Sequence, residues 1–270
     1  MPGEPRIAFG GDRDIALWVL GYLLDEGVRP LALLLPDVGA ASHADQLADL
    51  CPFLGEDEKL RGRRFGEPEG LALLRRLDLD YIICVHFPLV LPEQVLSIPR
   101  TGAVNLHPAF LPYNRGWHTA SWALLEGTPI GATLHMMDQG VDAGDIIHQR
   151  RMEVSPADTA DVLYGRLKQL ELEVFKEAWP SLASGSFQRV RQSPKEGTVH
   201  RHAELLSDDV ARIDLDESVR AGDLIRRFRA LTTDRIEEAA YYEVGGKRYR
   251  IQVRVQEGQT GDVPRKGGSR

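Results

Sequence analysis

Ala103-Val104-Asn105-Leu106-His107-Pro108 is a short apolar strand that ends in two polar side chains. Residues two apart on a strand project to the same side. Asn105 and His107 therefore face one space, at the strand's carboxyl end. Pro108 closes the strand, because it has no N–H to donate and restricts the residue before it. Open parallel sheets hold their ligands at that carboxyl edge. Asn and His on one face of a buried strand are unusual, since either group left unpartnered costs about 1–3 kcal/mol. Two readings stay open on this stretch alone: a ligand-facing pair, or two polar side chains bonded to neighbouring loops.

Outward from it, strands alternate with helices. Arg6-Ile7-Ala8-Phe9 is an apolar run closed by Gly10-Gly11-Asp12-Arg13-Asp14. Ala16, Val19, Leu20, Leu23 and Leu24 then follow the i, i+3, i+4, i+7, i+8 spacing of a helix with one buried face, and Gly27 stops it. Leu31–Leu35 and Tyr81–Val85 read as fully buried strands, with a helix around Leu71 to Leu77 before the second. Downstream, Gly131–Met136 and residues 146–154 extend the sheet. Ser155-Pro156-Ala157-Asp158 is a helix start. Leu163, Leu167, Leu170, Val174 and Ala178 form that helix's stripe, and Pro180 and Gly185 finish it. This alternation predicts an α/β fold with a mostly parallel sheet and helices on both faces.

The character changes near residue 185, which sets a boundary between a catalytic unit at 1–185 and a small C-terminal subdomain at 186–256. In the latter, Asp216 to Leu231 reads as a helix. Tyr241–Val244 and Lys247–Val253 flank Gly245-Gly246 as a hairpin. Residues 257–270 read as a loose tail. The chain has 270 residues and a formal net charge of −7, with 33 Lys+Arg against 40 Asp+Glu. That balance argues against broad nucleic-acid binding, which needs a basic face. No run of about 18 apolar residues is present to span a membrane, and the N-terminus lacks a secretory signal. Two cysteines, Cys51 and Cys84, cannot build a disulfide framework, so the expectation is a cytoplasmic protein with reduced thiols. Neither they nor the histidines show metal-site spacing.

A second stretch carries chemistry only in combination with the first. Met137-Asp138-Gln139-Gly140-Val141-Asp142-Ala143-Gly144-Asp145 is an acid-rich loop between two expected strands. Acids in loops are ordinarily solvated turn formers. If one of them meets His107, it raises the imidazole's basicity and fixes its orientation. Asn, His and Asp together could then hold an oxyanion and move a proton, which suits acyl transfer to an amine. No Ser or Cys is placed as a nucleophile, so direct attack by the substrate fits better than a covalent enzyme intermediate.

Asn105-Leu106-His107-Pro108-Ala109-Phe110-Leu111-Pro112, followed by Gly140-Val141-Asp142-Ala143-Gly144-Asp145, resembles the N10-formyltetrahydrofolate-dependent formyltransferases. Their motif is Asn-x-His-Pro-Ser-x-Leu-Pro, with a catalytic Asp downstream in a Gly-Leu-Asp-x-Gly-type loop; Ala109 departs from it at a non-catalytic position. The resemblance implies a Rossmann-like catalytic domain with Asn105, His107 and Asp142 as its catalytic residues, and N10-formyltetrahydrofolate as formyl donor. It places the pterin near His86, Phe87, Leu89, Val90 and Leu91, and near Met137, Asp138 and Gly140.

Two features bear on the acceptor. Pro112-Tyr113-Asn114-Arg115-Gly116-Trp117-His118-Thr119-Ala120-Ser121-Trp122, and the segments from Leu231 and Glu238 onward, resemble the nucleotide-sugar N-formyltransferase branch. Residues 200–254 hold 11 Lys or Arg and 11 Asp or Glu, whereas a tRNA-binding appendage should be positive. The resemblance thus implies a dTDP-linked amino-dideoxy sugar as acceptor, and a homodimer through the C-terminal hairpin. Methionyl-tRNA formyltransferase and formyltetrahydrofolate hydrolase remain as alternatives, as does a nucleotide-binding module without catalysis. Gly11 and Asp12 are candidates to touch the substrate; their turn lacks the full dinucleotide fingerprint. Arg115 could bind a pyrophosphate or make a local salt bridge. Trp117 and Tyr241 could stack on a base or simply pack.

Overall fold

The computed structural model describes residues 4–37, 43–193 and 195–258. In chain order, β1 (Ile7–Gly11) leads to α1 (Arg13–Asp25), β2 (Ala32–Leu35), α2 (Ala44–Asp49), β3 (Lys59–Arg61), α3 (Pro68–Arg76), β4 (Tyr81–Val85), α4 (Glu93–Leu96) and β5 (Gly102–His107). After these come β6 (Arg115–Gly116), α5 (Thr119–Glu126), β7 (Ile130–Met136), β8 (Ile146–Met152) and the long α6 (Ala160–Ala183). The remainder holds β9 (Val199–His200), α7 (His202–Leu205), α8 (Asp208–Ala211), α9 (Ala221–Ala230) and the hairpin β10 (Ala240–Val244) and β11 (Lys247–Ile251). Seven strands form one sheet in the order β3-β2-β1-β4-β5-β7-β8. The first five run parallel, while β7 and β8 are antiparallel. The chain reverses direction of travel across the sheet between β1 and β4, the place where open α/β sheets leave a crevice for ligand.

Two apolar layers sandwich the sheet. Phe9, Leu33, Ile83, Val104 and Leu106 meet α1 and α6 through Val19, Leu20, Leu23, Val174 and Phe175. Ala8, Leu34, Ile82, Cys84 and Ala103 meet α3 and α4 through Leu71, Leu74 and Val95. The period-two rule then fixes where the polar pair goes: Asn105 and His107 share the face of Ala103, on the α3–α4 side. Residues of β7 repeat this pattern. Thr133 lies opposite His107 and His135 opposite Asn105, so four polar side chains interrupt that apolar face.

Local chemistry moved several helix boundaries. The helix expected from Ser155 starts at Ala160 instead. Thr159 caps it by accepting from the Val162 N–H. Ser155 to Asp158 makes a turn, in which the Asp158 carboxylate accepts the Ser155 N–H at 2.7 Å. Pro180 lies inside α6, not at its end. Buried Trp179 and Leu182 hold that last turn on the core, and Gly185 at φ +69° ends it. The helix expected over Asp216 to Leu231 shortens to α9, because the Asp214 carboxylate takes the Asp216 N–H at 3.0 Å in a competing local turn. Gly245 and Gly246 both have positive φ, as a tight hairpin requires. Residues 259–270, most of the expected tail, lie outside the described residues.

Leu20 is fully buried between α1 and the sheet. Leu20→Ala is expected to lower the unfolding free energy by about 2–5 kcal/mol in urea titrations. Leu50→Ala, at a 38% exposed position, should cost no more than about 0.5 kcal/mol.

Candidate active site

One cleft of about 620 Å³ opens along the sheet's carboxyl edge. The turn after β1 contributes Asp12 and Arg13 to its walls, and the loop after β4 contributes His86 to Leu91. Asn105 and His107 form part of the floor, and the loop after β7 closes one side with Met137 to Asp142. That loop leaves β7 and re-enters β8, and its tip leans back over β5. Asp142 thereby reaches both polar residues of the strand: Asn105 Nδ2 donates to its Oδ1 at 3.2 Å, and His107 Nε2 lies 3.6 Å from its Oδ2.

The surroundings set the protonation of these groups. His107 Nε2 also lies 3.2 Å from the carbonyl oxygen of Asn114. Two acceptors face that nitrogen, so it carries the proton, and Nδ1 is the ring's acceptor. Burial pushes the His107 pKa down; Asp142 opposes this but does not outweigh it. The ring is therefore neutral at neutral pH. For Asp142, burial works to raise the pKa, but His107, His135 and the Gly116 N–H at 2.9 Å together hold it well below the usual carboxylate range. A neutral imidazole beside an ionised carboxylate is a base whose conjugate acid has a waiting counter-charge.

His135 completes the group, and the sequence analysis did not single out its side chain. Its Nδ1 lies 2.7 Å from the Met136 carbonyl oxygen, and its Nε2 lies 3.3 Å from Asn105 Nδ2 and 3.5 Å from Asp142 Oδ1. Thr133 and His135 show the same period-two spacing as Asn105 and His107, which is a usable signal. Asn105 Nδ2 thus sits between the Asp142 carboxylate, to which it gives one N–H, and the His135 ring. Other groups unmarked in the sequence are the Gly116 N–H, the Asn114 carbonyl and, further along the cleft, Tyr164, His202, Arg235 and Glu238.

Backbone strain is concentrated here. Six described non-glycine residues have positive φ: Arg13, Asp78, His86, Asn114, His118 and Asp142. All but Asp78 line the cleft or, for Asn114, bond directly to His107. Such conformations cost on the order of 1–3 kcal/mol each and persist only where surrounding contacts enforce them. At His86 the enforcement is visible: Nε2 donates to the fully buried Glu171 at 2.8 Å, and the Tyr164 hydroxyl donates to Nδ1 at 3.3 Å. At the far end, burial, with the nearby charges of His202 and Arg235, pushes the His118 pKa down to about 4. Burial raises that of Glu238.

The residues the resemblance placed around a pterin, namely His86, Phe87, Leu89, Val90, Met137, Asp138 and Gly140, all line the cleft, as do Asp12 and Trp117. Three substrate candidates do not. Gly11 is buried under α1, where a Cβ would lie 2.7 Å from that of Ala16. The backbone of Arg115 is engaged in β6, with its N–H donated to the Thr198 carbonyl at 3.0 Å, and its side chain does not reach the lining. Tyr241 is packed in the C-terminal subdomain, its hydroxyl donating to Asp208 and its ring under the Arg248 guanidinium. No group of His, Cys, Asp and Glu among the described residues could hold a metal ion. No described helix is long and apolar enough to cross a membrane.

An open α/β sheet with an amide, an imidazole and a carboxylate converging at its carboxyl edge can hold an oxyanion and move a proton. Residues 39–179 match the Formyl transferase family, and residues 207–257 match the N-formyltransferase dimerization C-terminal domain. The chain belongs to the formyl transferase family. It is 32% identical to a methionyl-tRNA formyltransferase of Myxococcus xanthus, over 96% of this chain and 83% of that protein. To a dTDP-4-amino-4,6-dideoxyglucose formyltransferase of Mycobacterium bovis it is 29% identical, over 64% of this chain and 72% of that one. Among solved structures, a sugar N-formyltransferase from Shewanella superposes with a TM-score of 0.79 at 19% identity, covering 94% of this chain and 99% of that chain. An N-formyltransferase from Helicobacter canadensis, in complex with folinic acid and dTDP-3-aminofucose, gives 0.63 at 17% identity, over 90% and 85%.

Because burial keeps His107 neutral, the acid limb of kcat/KM is expected below the pH of about 6.5 at which a free histidine titrates. Asp142→Asn removes the group that favours the imidazolium. It should move that limb to still lower pH and reduce kcat by about 100-fold or more. A limb that stays put in a pH–rate series would contradict the assignment.

Proposed function

We propose that the protein transfers a formyl group from N10-formyltetrahydrofolate to the amino group of a dTDP-linked amino-dideoxy sugar. The meeting of Asn105, His107 and Asp142 in the cleft carries the chemistry. When bound, the donor supplies a carbonyl carbon attached to an aryl amine that can leave. Asn105 gives one amide N–H to the carbonyl oxygen as negative charge develops there. His107 accepts a proton from the attacking amine, Asp142 holds the imidazolium it becomes, and the proton then passes to the donor's aryl amine nitrogen as its bond to the formyl carbon breaks. Phe87, Leu89 and Val90 on one rim, with Val141 on the other, offer apolar walls for a flat heterocycle. Val90 is 80% exposed and Val141 58% exposed, so both have surface left to cover.

The sugar acceptor is favoured by the form and charge of the C-terminal part. The structure matches the Shewanella sugar N-formyltransferase along 99% of that chain. The C-terminal subdomain is electrically balanced over residues 200–254. The cleft itself is acidic, with Asp12, Asp138, Asp142, Asp161, Asp234 and Glu238 against Arg13 and Arg235. Neither surface suits a polyanion as large as tRNA. Arg235, 40% exposed at its side chain, and half-exposed Trp117 take the place of Arg115 as candidates for a nucleotide diphosphate and base. The C-terminal hairpin, with exposed Val244 and Tyr249, is the proposed homodimer surface. The enzyme is proposed to work in the cytoplasm.

Purified protein supplied with N10-formyltetrahydrofolate should formylate at least one member of a dTDP-amino-sugar panel. Transfer to charged initiator tRNA alone, or bare hydrolysis of the donor, would replace the sugar reading. Asn105→Ala and His107→Ala should each lower turnover by about 100–1,000-fold, whereas a binding module would have no turnover to lose. Arg235→Ala should raise KM for the nucleotide sugar about tenfold with kcat little changed, measured by steady-state kinetics.

A further inference from the structure

The segment that leaves α6 for the C-terminal subdomain does not run clear of the active site. Val190 exchanges both backbone hydrogen bonds with Ile146, each 2.8 Å, at the end of the Asp142 loop. Gln192, 8% exposed, then spends its whole amide on that loop: Nε2 donates to the Asp142 carbonyl at 2.8 Å and to the Gly144 carbonyl at 2.7 Å. Its Oε1 is buried and has no partner, so the side chain is held by its donors alone. Asp142 itself sits at φ +46°, in the left-handed region that side-chain-bearing residues seldom adopt, although aspartate tolerates it better than most. The loop also passes close to the end of β7: a Cβ on Gly144 would lie 2.0 Å from the Met136 carbonyl oxygen, so only glycine fits there. Further on, β9 pairs with β6, whose Gly116 donates its N–H to the Asp142 carboxylate.

We infer that Gln192 is a positioning residue for Asp142, clamping the backbone of the carboxylate loop from the segment that connects the two units. Gln192 touches no reacting atom, and its action on formyl transfer, the reading on which this inference rests, passes through Asp142. Replacing it with an apolar side chain of the same length leaves the Asp142 and Gly144 carbonyls without the donors that now hold them.

The test is Gln192→Met in the full-length protein, compared with wild type by steady-state kinetics, thermal unfolding and hydrogen exchange read by mass spectrometry. The expected result is a kcat about tenfold lower or less, KM for donor and acceptor within about twofold, and faster exchange confined to residues 137–145. Unchanged kcat with unchanged exchange in that loop would overturn the inference. So would a global rise in exchange with kcat, KM and melting temperature all shifted, since that marks a merely structural role. If wild type formylates no amino sugar, the acceptor assignment fails, and the exchange comparison still decides the clamp.

Discussion

An ionised carboxylate in a mostly buried setting is the constraint around which the active site is organised. Burial alone would force Asp142 to take up a proton. Two imidazoles, one side-chain amide and one backbone N–H, drawn from β5, β7 and β6, keep it charged instead. Each of those groups is fixed by a different part of the fold. β5 and β7 supply theirs through cross-strand register, and β6 through pairing with β9. The charge exists because the sheet, the loop and the connector agree on one position, and it in turn gives His107 a partner for the proton it is to take.

The antiparallel turn of β7 and β8 is what allows the agreement. A parallel strand beside β5 would send its following loop out past the carboxyl edge. The antiparallel pair forms a bend whose tip can lie over the sheet face, within reach of Asn105 and His107. The cost appears as positive-φ residues, and their clustering around one cleft follows from asking several short loops to converge.

Much of this was legible in the sequence because it rests on local rules. The parallel strands, α1, the hairpin turn and the shared face of Asn105 and His107 all follow from periodicity and from Gly and Pro. The boundaries that shifted did so where side chains competed with the backbone, at Asp158 and Asp214, or where tertiary burial overrode a helix breaker, at Pro180. His135 shares a period-two spacing with Thr133 that marks a polar face, but which residues it meets depends on the register between β5 and β7. Arg115 and Tyr241 were assigned by chemical type; Arg115 stands next to the cleft-lining Gly116 on a strand, where neighbours point opposite ways, and Tyr241 lies on a strand that packs wholly in the C-terminal part. Gln192 carried no signal at all, because its partners are backbone carbonyls some fifty positions earlier in the chain.

The contacts of Val190, Gln192 and β9 have a bearing on how such chains can be recombined. A junction placed at the compositional boundary near residue 185 would hand over, with the C-terminal unit, the side chain that meets the Asp142 loop and the strand that meets Gly116. Two enzymes that trade these units would therefore exchange part of each other's catalytic scaffolding. Hybrids should work best when the crossover falls after His200, so that the modular seam of the polypeptide lies beyond the one its composition suggests.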